Sequence, residues 1–487
     1  MWIRAGADRE RHLKNLSFIL GWLLLALTAC KQDKPAPPPV PIAGKPAENV
    51  LTVVTINSPS TYYVNNDKAF AGLEYDLAVL FGEFLGNNTQ VRFVVETSVE
   101  KALARVANKK ADFAAADLSV TEDRKKFVHF SAPYHDVQQQ LVYNREAIKK
   151  PPKSLKDMAG LEIVVPAGSS FVERLKQLSK NESGILIWEE RKSVHSGQLL
   201  EAVANEEIPY TIADSHLVSI LQNYYPNLAA AFPVGEPEKI AWAFPKNGDP
   251  ELLKKADEFF AKIKKDGTLR NLVDRYHGSS KRLNPLDVKT FLVRSQTLLP
   301  KYKRLFKQAQ EITSLDWRLI AAISYQESHW DTYNTSPTNV RGLMMLTEST
   351  ADRMGVTDRL DPVQSIPAGA KYIRLLLDAI PDRVPEPDRT YMALASYNIG
   401  YAHLEDARVL AQRLRLNPDS WSDIKKALMM LNDPNYYINA KYGYCSCGQP
   451  VIFVESIRSY YNILGRFEAP HDGIQENFKI AMAETPI

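Results

Sequence analysis

Residues 51–96 read LTVVTINSPSTYYVNNDKAFAGLEYDLAVLFGEFLGNNTQVRFVVE. LTVVTI (51–56) is a short β-rich run. GLEYDLAVLFGEFLG (72–86) has helical spacing, which puts Leu77, Leu80, Phe81 and Phe84 on one face. TQVRFVVE (89–96) is β-rich again. Strands alternating with helices predict a parallel sheet. VEKALARVANKK (99–110) continues the alternation, with Val99, Leu103 and Val106 in register, and ADFAAADLSV (111–120) is a third strand. After Tyr143 the pattern restarts at LEIVVPAGSS (161–170). It returns at AWAFPK (241–246) and ends in the helical ADEFFAKIKKDGTLRNLVDRYHG (256–278). Residues 50–278 therefore predict two α/β lobes with a cleft between them.

The whole chain has 487 residues, a prior of about three units at roughly 150 residues each. Hydrophobic residues make up 45% and charged residues 24%, which excludes a wholly disordered, collagen-like or polytopic membrane protein. A net charge of +3 is too mild to point to nucleic acid. Three cysteines, Cys30, Cys445 and Cys447, exclude a disulfide-built scaffold.

Several short strings inside 50–278 carry a resemblance. They are Gly72-Leu73-Glu74-Tyr75-Asp76-Leu77, Ala111-Asp112, Thr121-Glu122-Asp123-Arg124, FSAPY (130–134) and RYHG (275–278). In this order and spacing the segment resembles a family 3 periplasmic solute-binding protein of the amino-acid-binding type. The resemblance implies hinge closure on a small ligand, an amino acid or muropeptide. Arg124 would grip the ligand carboxylate, a bidentate task suited to guanidinium. Ser119 would supply a hydroxyl, Tyr62 would pack on the ligand, and Asp214 would take the ammonium. Ser169 and Ser170 follow Gly168 at an expected helix N-terminus, a ready anion site. Solvated charges and helix caps are the alternative for each.

Gly278-Ser279-Ser280-Lys281-Arg282 reads as a junction, and helical periodicity dominates residues 285–465. The informative segment there is SLDWRLIAAISYQESHW (314–330), with Thr313 and Asp316 suited to a capping-box variant. Leu315, Leu319 and Ile323 recur every four residues, and Glu327 continues the series onto the apolar face. A carboxylate there is costly unless neutral or paired. Desolvation raises its pKa, as a general acid near neutrality requires. Alternatively, Glu327 ends the helix at the surface beside Ser328 and His329.

Downstream stand Gly342-Leu343-Met344-Met345 and Ala395-Ser396-Tyr397-Asn398-Ile399-Gly400. Glu-Ser, Gly-Leu-Met and Tyr-Asn-x-Gly in this order resemble the soluble-lytic-transglycosylase domain, with its mainly α, lysozyme-like fold, over roughly 300–465. One departure is Met345, where that family commonly has glutamine. A solute-binding module followed by such a domain resembles the membrane-bound lytic murein transglycosylase F family. The resemblance implies a lyase that cleaves peptidoglycan glycan strands between N-acetylmuramic acid and N-acetylglucosamine without water. Glu327 would protonate the glycosidic oxygen and then take the C6 hydroxyl proton as the 1,6-anhydro ring closes. The muramoyl N-acetyl group would stabilise the oxocarbenium-like centre. Two-carboxylate glycosidases flank the bond with a second acid, and nothing marks Asp331 or Glu348 as that partner. Tyr397 would orient the acid, Ser328 would contact the N-acetyl region, and Asn398 the sugar or the loop holding Tyr397. Gly342 and Met344 would shape the groove wall, or serve ordinary turn and core packing. Two other functions stay open: a lysozyme-like hydrolase, and a ligand sensor with an inactive catalytic domain.

The N-terminus carries Arg4, Arg9, Arg11 and Lys14 before the uncharged LSFILGWLLLAL (16–27), which as a helix is too short to span a bilayer. This predicts a signal peptide over 1–29. Leu27-Thr28-Ala29-Cys30 resembles the bacterial lipobox, implying lipidation at Cys30. Lys31 after it favours the periplasmic face of the outer membrane. Residues 30–49 are proline-rich and read as an extended tether. No P-loop or dinucleotide fingerprint appears, and no cofactor is expected. The nine histidines show no i, i+4 pair and no cluster with cysteine, so no metal site is expected, and His129 and His135 read as structural. Cys445-Ser446-Cys447 is too tight for an unstrained disulfide and is given no role, buried or surface thiols being the plain alternative. YYINAKYGY (436–444) and YYNIL (460–464) read as core packing, and residues 466–487 as a loose tail.

Overall fold

The computed structural model describes residues 49–65, 69–181, 186–278, 283–336 and 340–471. The expected signal segment, Cys30 and tether residues 31–48 lie outside them. Among the described residues no helix is long and apolar enough to cross a membrane.

Strand Val50–Ile56 pairs in parallel with Gln90–Glu96 along its whole length, and in parallel with Phe113–Ala114 on its other side. The crossover is helix Leu73–Leu85, whose Leu77 and Phe81 are fully buried. Ala243–Pro245 and Val128–Phe130 complete a five-stranded sheet, with Ala243–Pro245 antiparallel to both neighbours. Its inserted return strand follows Trp242, whose ring packs on Phe81, Phe113 and Phe260. A second five-stranded sheet runs Trp188–Arg191, Ile163–Pro166, Tyr210–Asp214, Gln139–Asn144, Leu228–Pro233. The chain leaves the first lobe along His135–Val137 and returns along Glu238–Ile240, and these two strands pair antiparallel as the hinge. The two-lobed α/β expectation is met.

From Pro285 onward the regular structure is helical. One core holds it together, including Phe291, Phe306, Ile320, Ile366, Trp421 and Ile457, all essentially inaccessible. Helix Trp317–Ser328 runs through this core and packs on helix Gln449–Phe467. Its N-cap is Asp316, which accepts from the Arg318 N–H at 2.8 Å. Thr313 instead ends the preceding helix, Leu299–Thr313, its hydroxyl donating to the Ala309 carbonyl.

Two expectations are corrected here. Cys445 and Cys447 form a disulfide, with Cα atoms 5.0 Å apart; the chain bends at Ser446, since two extended residues would hold the pair about 7 Å apart, and the span falls inside the normal range. Residues 468–471 are not loose. The Trp317 indole donates to the Ala469 carbonyl at 3.3 Å, Gln310 donates to the His471 carbonyl at 2.6 Å, and Lys303 pairs with Glu468.

The two parts meet through the last α/β helix, Thr268–His277. Arg270 donates to both Asp423 oxygens at 2.7 and 2.9 Å. Arg275 reaches Asp388 at 2.9 Å, and Lys425 reaches Asp274 at 2.7 Å. Arg458 donates to the Arg275 carbonyl at 2.8 Å.

Candidate functional site

Glu327 sits one residue before the C-terminus of its helix, which stops because His329 turns left-handed at φ 54°. Buried Leu315, Leu319 and Ile323 lead to it along the apolar face. Burial alone pushes the Glu327 carboxyl up to about 8, so it carries its proton at neutrality. Neither Asp331 nor Glu348, both exposed, contributes to that shift. Tyr397 is close enough for the Glu327 charge to push its phenol further up, after burial.

The wall beside the acid is fastened from inside. Ser324 and Ser328, one turn apart, both donate to the Leu343 carbonyl at 3.0 Å. Tyr397 donates to the Met344 carbonyl at 2.6 Å, and the Met344 N–H donates to Ser365 at 3.3 Å. Gly342 has φ +79°, and a Cβ there would stand 1.8 Å from the Arg359 carbonyl oxygen, so no other residue fits. Asn398 is exposed near the end of helix Asp388–Ile399.

The second site is the cleft between the α/β lobes. Its volume is about 60 Å³, and its lining includes Asp117, Ser119, Arg124, Ser169, Ser170 and Asp214. Small-ligand sites run to about 300 Å³ or more, so this is a shut cleft. Bonds across it hold it shut: Arg124 donates to the Gly168 carbonyl at 3.5 Å and Ser170 to Ser119 at 3.2 Å, while within its own lobe Arg124 donates to the Ser119 carbonyl at 3.0 Å. Among the described residues lining the cleft, Arg124 Nε, Ser169 Oγ, His195 Nδ1 and Asp214 Oδ1 are buried without a hydrogen-bond partner, Arg124 Nε having only a 3.7 Å ion pair with Glu173. Asp214 is the N-cap residue of helix Ser215–Leu221, yet its side chain does not cap it. Burial, then nearby Asp117, pushes its carboxyl up to about 7. A guanidinium, a hydroxyl and a carboxylate with free positions match a ligand carrying both carboxylate and ammonium.

Residues 51–279 match the bacterial extracellular solute-binding proteins, family 3, and residues 304–417 match the transglycosylase SLT domain. The chain is 53% identical over 459 residues to the membrane-bound lytic murein transglycosylase F of Methylobacillus flagellatus, covering 94% of this chain and 96% of that protein. It is 45% identical over 421 residues to the corresponding protein of Nitrosospira multiformis, covering 86% and 87%. The chain belongs to the membrane-bound lytic murein transglycosylase F family. It pairs a solute-binding-like module with a transglycosylase domain.

Of the residues expected in this family member's module, Ser119, Arg124, Ser169, Ser170 and Asp214 come together. Tyr62 does not join them. Its ring lies 5.2 Å from Phe70 and 5.3 Å from Phe93, in an aromatic cluster with Tyr75. In the transglycosylase domain, Ser328 is 1% exposed, its hydroxyl spent on the Ser324 and Leu343 carbonyls. It fastens the wall and does not face a sugar. Met344 is likewise fully buried against Gly369, on the core side of the wall. Met345, in place of the common glutamine, is half-buried at φ 43°.

Sequence reasoning missed Ser324, Ser365 and Glu74. The Ser324/Ser328 pair at i, i+4 was a visible signal. Glu74 accepts from Tyr134, the Trp242 indole and the Asp117 N–H at 2.5, 2.9 and 2.7 Å, and burial pushes it up to about 7. It fixes the cleft floor from the core side.

Proposed function

We propose that the chain cleaves the β-1,4 bond between N-acetylmuramic acid and N-acetylglucosamine in peptidoglycan, leaving a 1,6-anhydro end, with Glu327 as the only catalytic carboxylate. The observation that carries this reading is Glu327 itself, raised by burial alone to about 8. Protonated at neutrality, it gives its proton to the glycosidic oxygen as the C1–O4 bond breaks. The substrate's own N-acetyl oxygen supports the electron-poor C1. Glu327, now a carboxylate, removes the proton from the C6 hydroxyl, whose oxygen bonds to C1. The acid is regenerated and no water is consumed. Two-carboxylate hydrolases use a second acid to activate water; Asp331 and Glu348, the candidates for that role, are both exposed and neither shifts Glu327.

In this reading the Ser324, Ser328 and Tyr397 bonds hold the Gly342–Met344 wall, Asn398 meets the glycan, and Gly342 permits the wall's turn. The module, residues 50–278, takes an amino acid or muropeptide. Arg124 faces the carboxylate, Asp214 the ammonium, and Ser119, Ser169 and Ser170 supply hydroxyls. The charged contacts of helix Thr268–His277 support a regulatory tie to the transglycosylase domain, residues 285–465. Residues 1–29 direct export, and a lipid on Cys30 holds the chain at the periplasmic face of the outer membrane.

Digestion of murein sacculi read by mass spectrometry tests the reaction. The expected products carry anhydromuramic ends, lighter by one water, and disappear with Glu327→Gln. Reducing ends alone would establish hydrolysis. Calorimetric titration with amino acids and stem peptides, with turnover measured alongside, tests the module. Absence of binding, or binding without a change in turnover, removes the regulatory tie. Mass spectrometry of the mature N-terminus tests Cys30.

A further inference from the structure

Three histidines that no spacing rule connects converge beside the module's cleft. His135 opens the hinge strand His135–Val137, His216 lies in the second-lobe helix Ser215–Leu221, and His277 ends helix Thr268–His277. The His216 and His277 rings lie 4.4 Å apart, His135 and His277 5.2 Å, and His135 and His216 6.1 Å. One nitrogen from each ring lies within 4.8 Å of the other two.

The hydrogen bonding around the cluster is one-sided. His216 Nε2 stands 2.6 Å from Asp117 Oδ2. An ionised carboxylate only accepts, so Nε2 carries the hydrogen, and in the neutral ring Nδ1 keeps its lone pair. That Nδ1 is buried without a partner, and both ring nitrogens of His277 are buried, with the Ser60 backbone beside the ring. Asp117 is itself held: its N–H donates to Glu74 at 2.7 Å, and Ser60 donates to its Oδ2 at 3.3 Å. A carboxylate that fixes one nitrogen of an imidazole and leaves the other open is the usual support of a metal-binding histidine.

We propose that His135, His216 and His277 form a binding site for a divalent transition metal, with zinc the fitting ion, and that Asp117 orients the site from behind. Imidazole nitrogens suit zinc. The described cysteines, Cys445 and Cys447, are tied to each other in the helical domain. Zinc–nitrogen bonds of about 2.0–2.1 Å put ligand nitrogens about 3.3 Å apart in a tetrahedron, so ring rotations within the observed spacing bring the three into place. The fourth position is left for water. His135 and His277 are only partly buried, which gives the ion a way in. The bound ion joins the hinge strand, the second lobe and the helix that docks on the transglycosylase domain. Through Asp117 it also touches the first lobe.

The test uses the full chain in detergent, stripped by a chelator and titrated with zinc against a chromophoric competitor. One equivalent should bind tightly, at least 100-fold more weakly in His216→Ala and His277→Ala, and about 10-fold more weakly in Asp117→Asn. His129→Ala, which removes an exposed histidine of the first lobe, should leave affinity unchanged. Cobalt(II) in place of zinc should give the intense visible bands of a tetrahedral, nitrogen-ligated ion. If circular dichroism shows that His277→Ala does not fold, His135→Asn on the partly exposed hinge strand carries the same comparison. No stoichiometric binding, binding that survives these substitutions, or an octahedral cobalt spectrum would overturn the site.

Discussion

Glu327 and Asp214 are both carboxyls raised by burial, to about 8 and about 7, yet their surroundings differ in kind. Glu327 has no charged neighbour behind its shift. Asp214 stands among charges: Asp117 pushes it up, and His216 and Arg124 pull it down. A lone desolvated carboxyl is suited to giving up a proton and taking one back, because its only competitor is solvent. A carboxyl amid opposed charges is suited to binding, because a ligand cation can replace one of its partners. The same burial thus serves chemistry in one part and recognition in the other.

The contrast can be broken by experiment. Glu327→Gln should lower release of anhydromuropeptides by about 1,000-fold or more, within the range of general acid–base contributions. The exchange is nearly isosteric and circular dichroism should not change; substantial residual turnover would mean the acid lies elsewhere. Gly342→Ala should cost about 3 kcal/mol in denaturant unfolding, because its Cβ has no room at a strained φ. A near-neutral result would show that the wall is not fixed by the Arg359 carbonyl. For an amino acid that binds the module, Arg124→Ala should weaken the affinity about 100-fold, and Arg124→Lys should not restore it, since lysine lacks the bidentate fork. Retained affinity would move the carboxylate subsite. The pH profile of kcat/KM should fall about tenfold per unit above the Glu327 pKa of about 8; a break near 5 would indicate that the reactive acid is an ordinary carboxyl.

The remaining effect concerns stability. A carboxyl whose folded pKa is raised binds its proton more tightly folded than unfolded. Below its unfolded value, about 4.5, it costs nothing. Stability is lost as pH rises from there to about 8. Glu327→Gln should therefore leave the melting midpoint unchanged at pH 4 and stabilise the fold at pH 8 by about 4 kcal/mol. An equal gain at both pH values would assign the effect to packing.

Much of this was legible in the sequence for identifiable reasons. Strand–helix–strand alternation is local, so the parallel pairing of residues 50–56 with 90–96 follows from periodicity. Glu327 was legible because it breaks an apolar series in register. What failed were directions and encounters. Ser328 sits beside the acid in sequence, but its hydroxyl turns inward because the Leu343 carbonyl is there to receive it. Tyr62 lies near the cleft-forming strings, but Phe70, Tyr75 and Phe93 claim its ring. His135, His216 and His277 meet only because a hinge strand, a second-lobe helix and the last module helix end at one place. Cys445 and Cys447 pair because of a local backbone shape that residue spacing does not specify.

Helix Thr268–His277 belongs to the α/β module by chain order and to the transglycosylase domain by charge. Asp423, 2% exposed, receives both of its Arg270 bonds from across that boundary. A fragment beginning at the apparent junction after Gly278 would contain every proposed catalytic residue. It would also lose the Arg270 counter-charge at Asp423, the Arg275 contact at Asp388 and the Asp274 contact at Lys425. For anyone trimming the protein for expression, the boundary after Gly278 is therefore a poor place to cut.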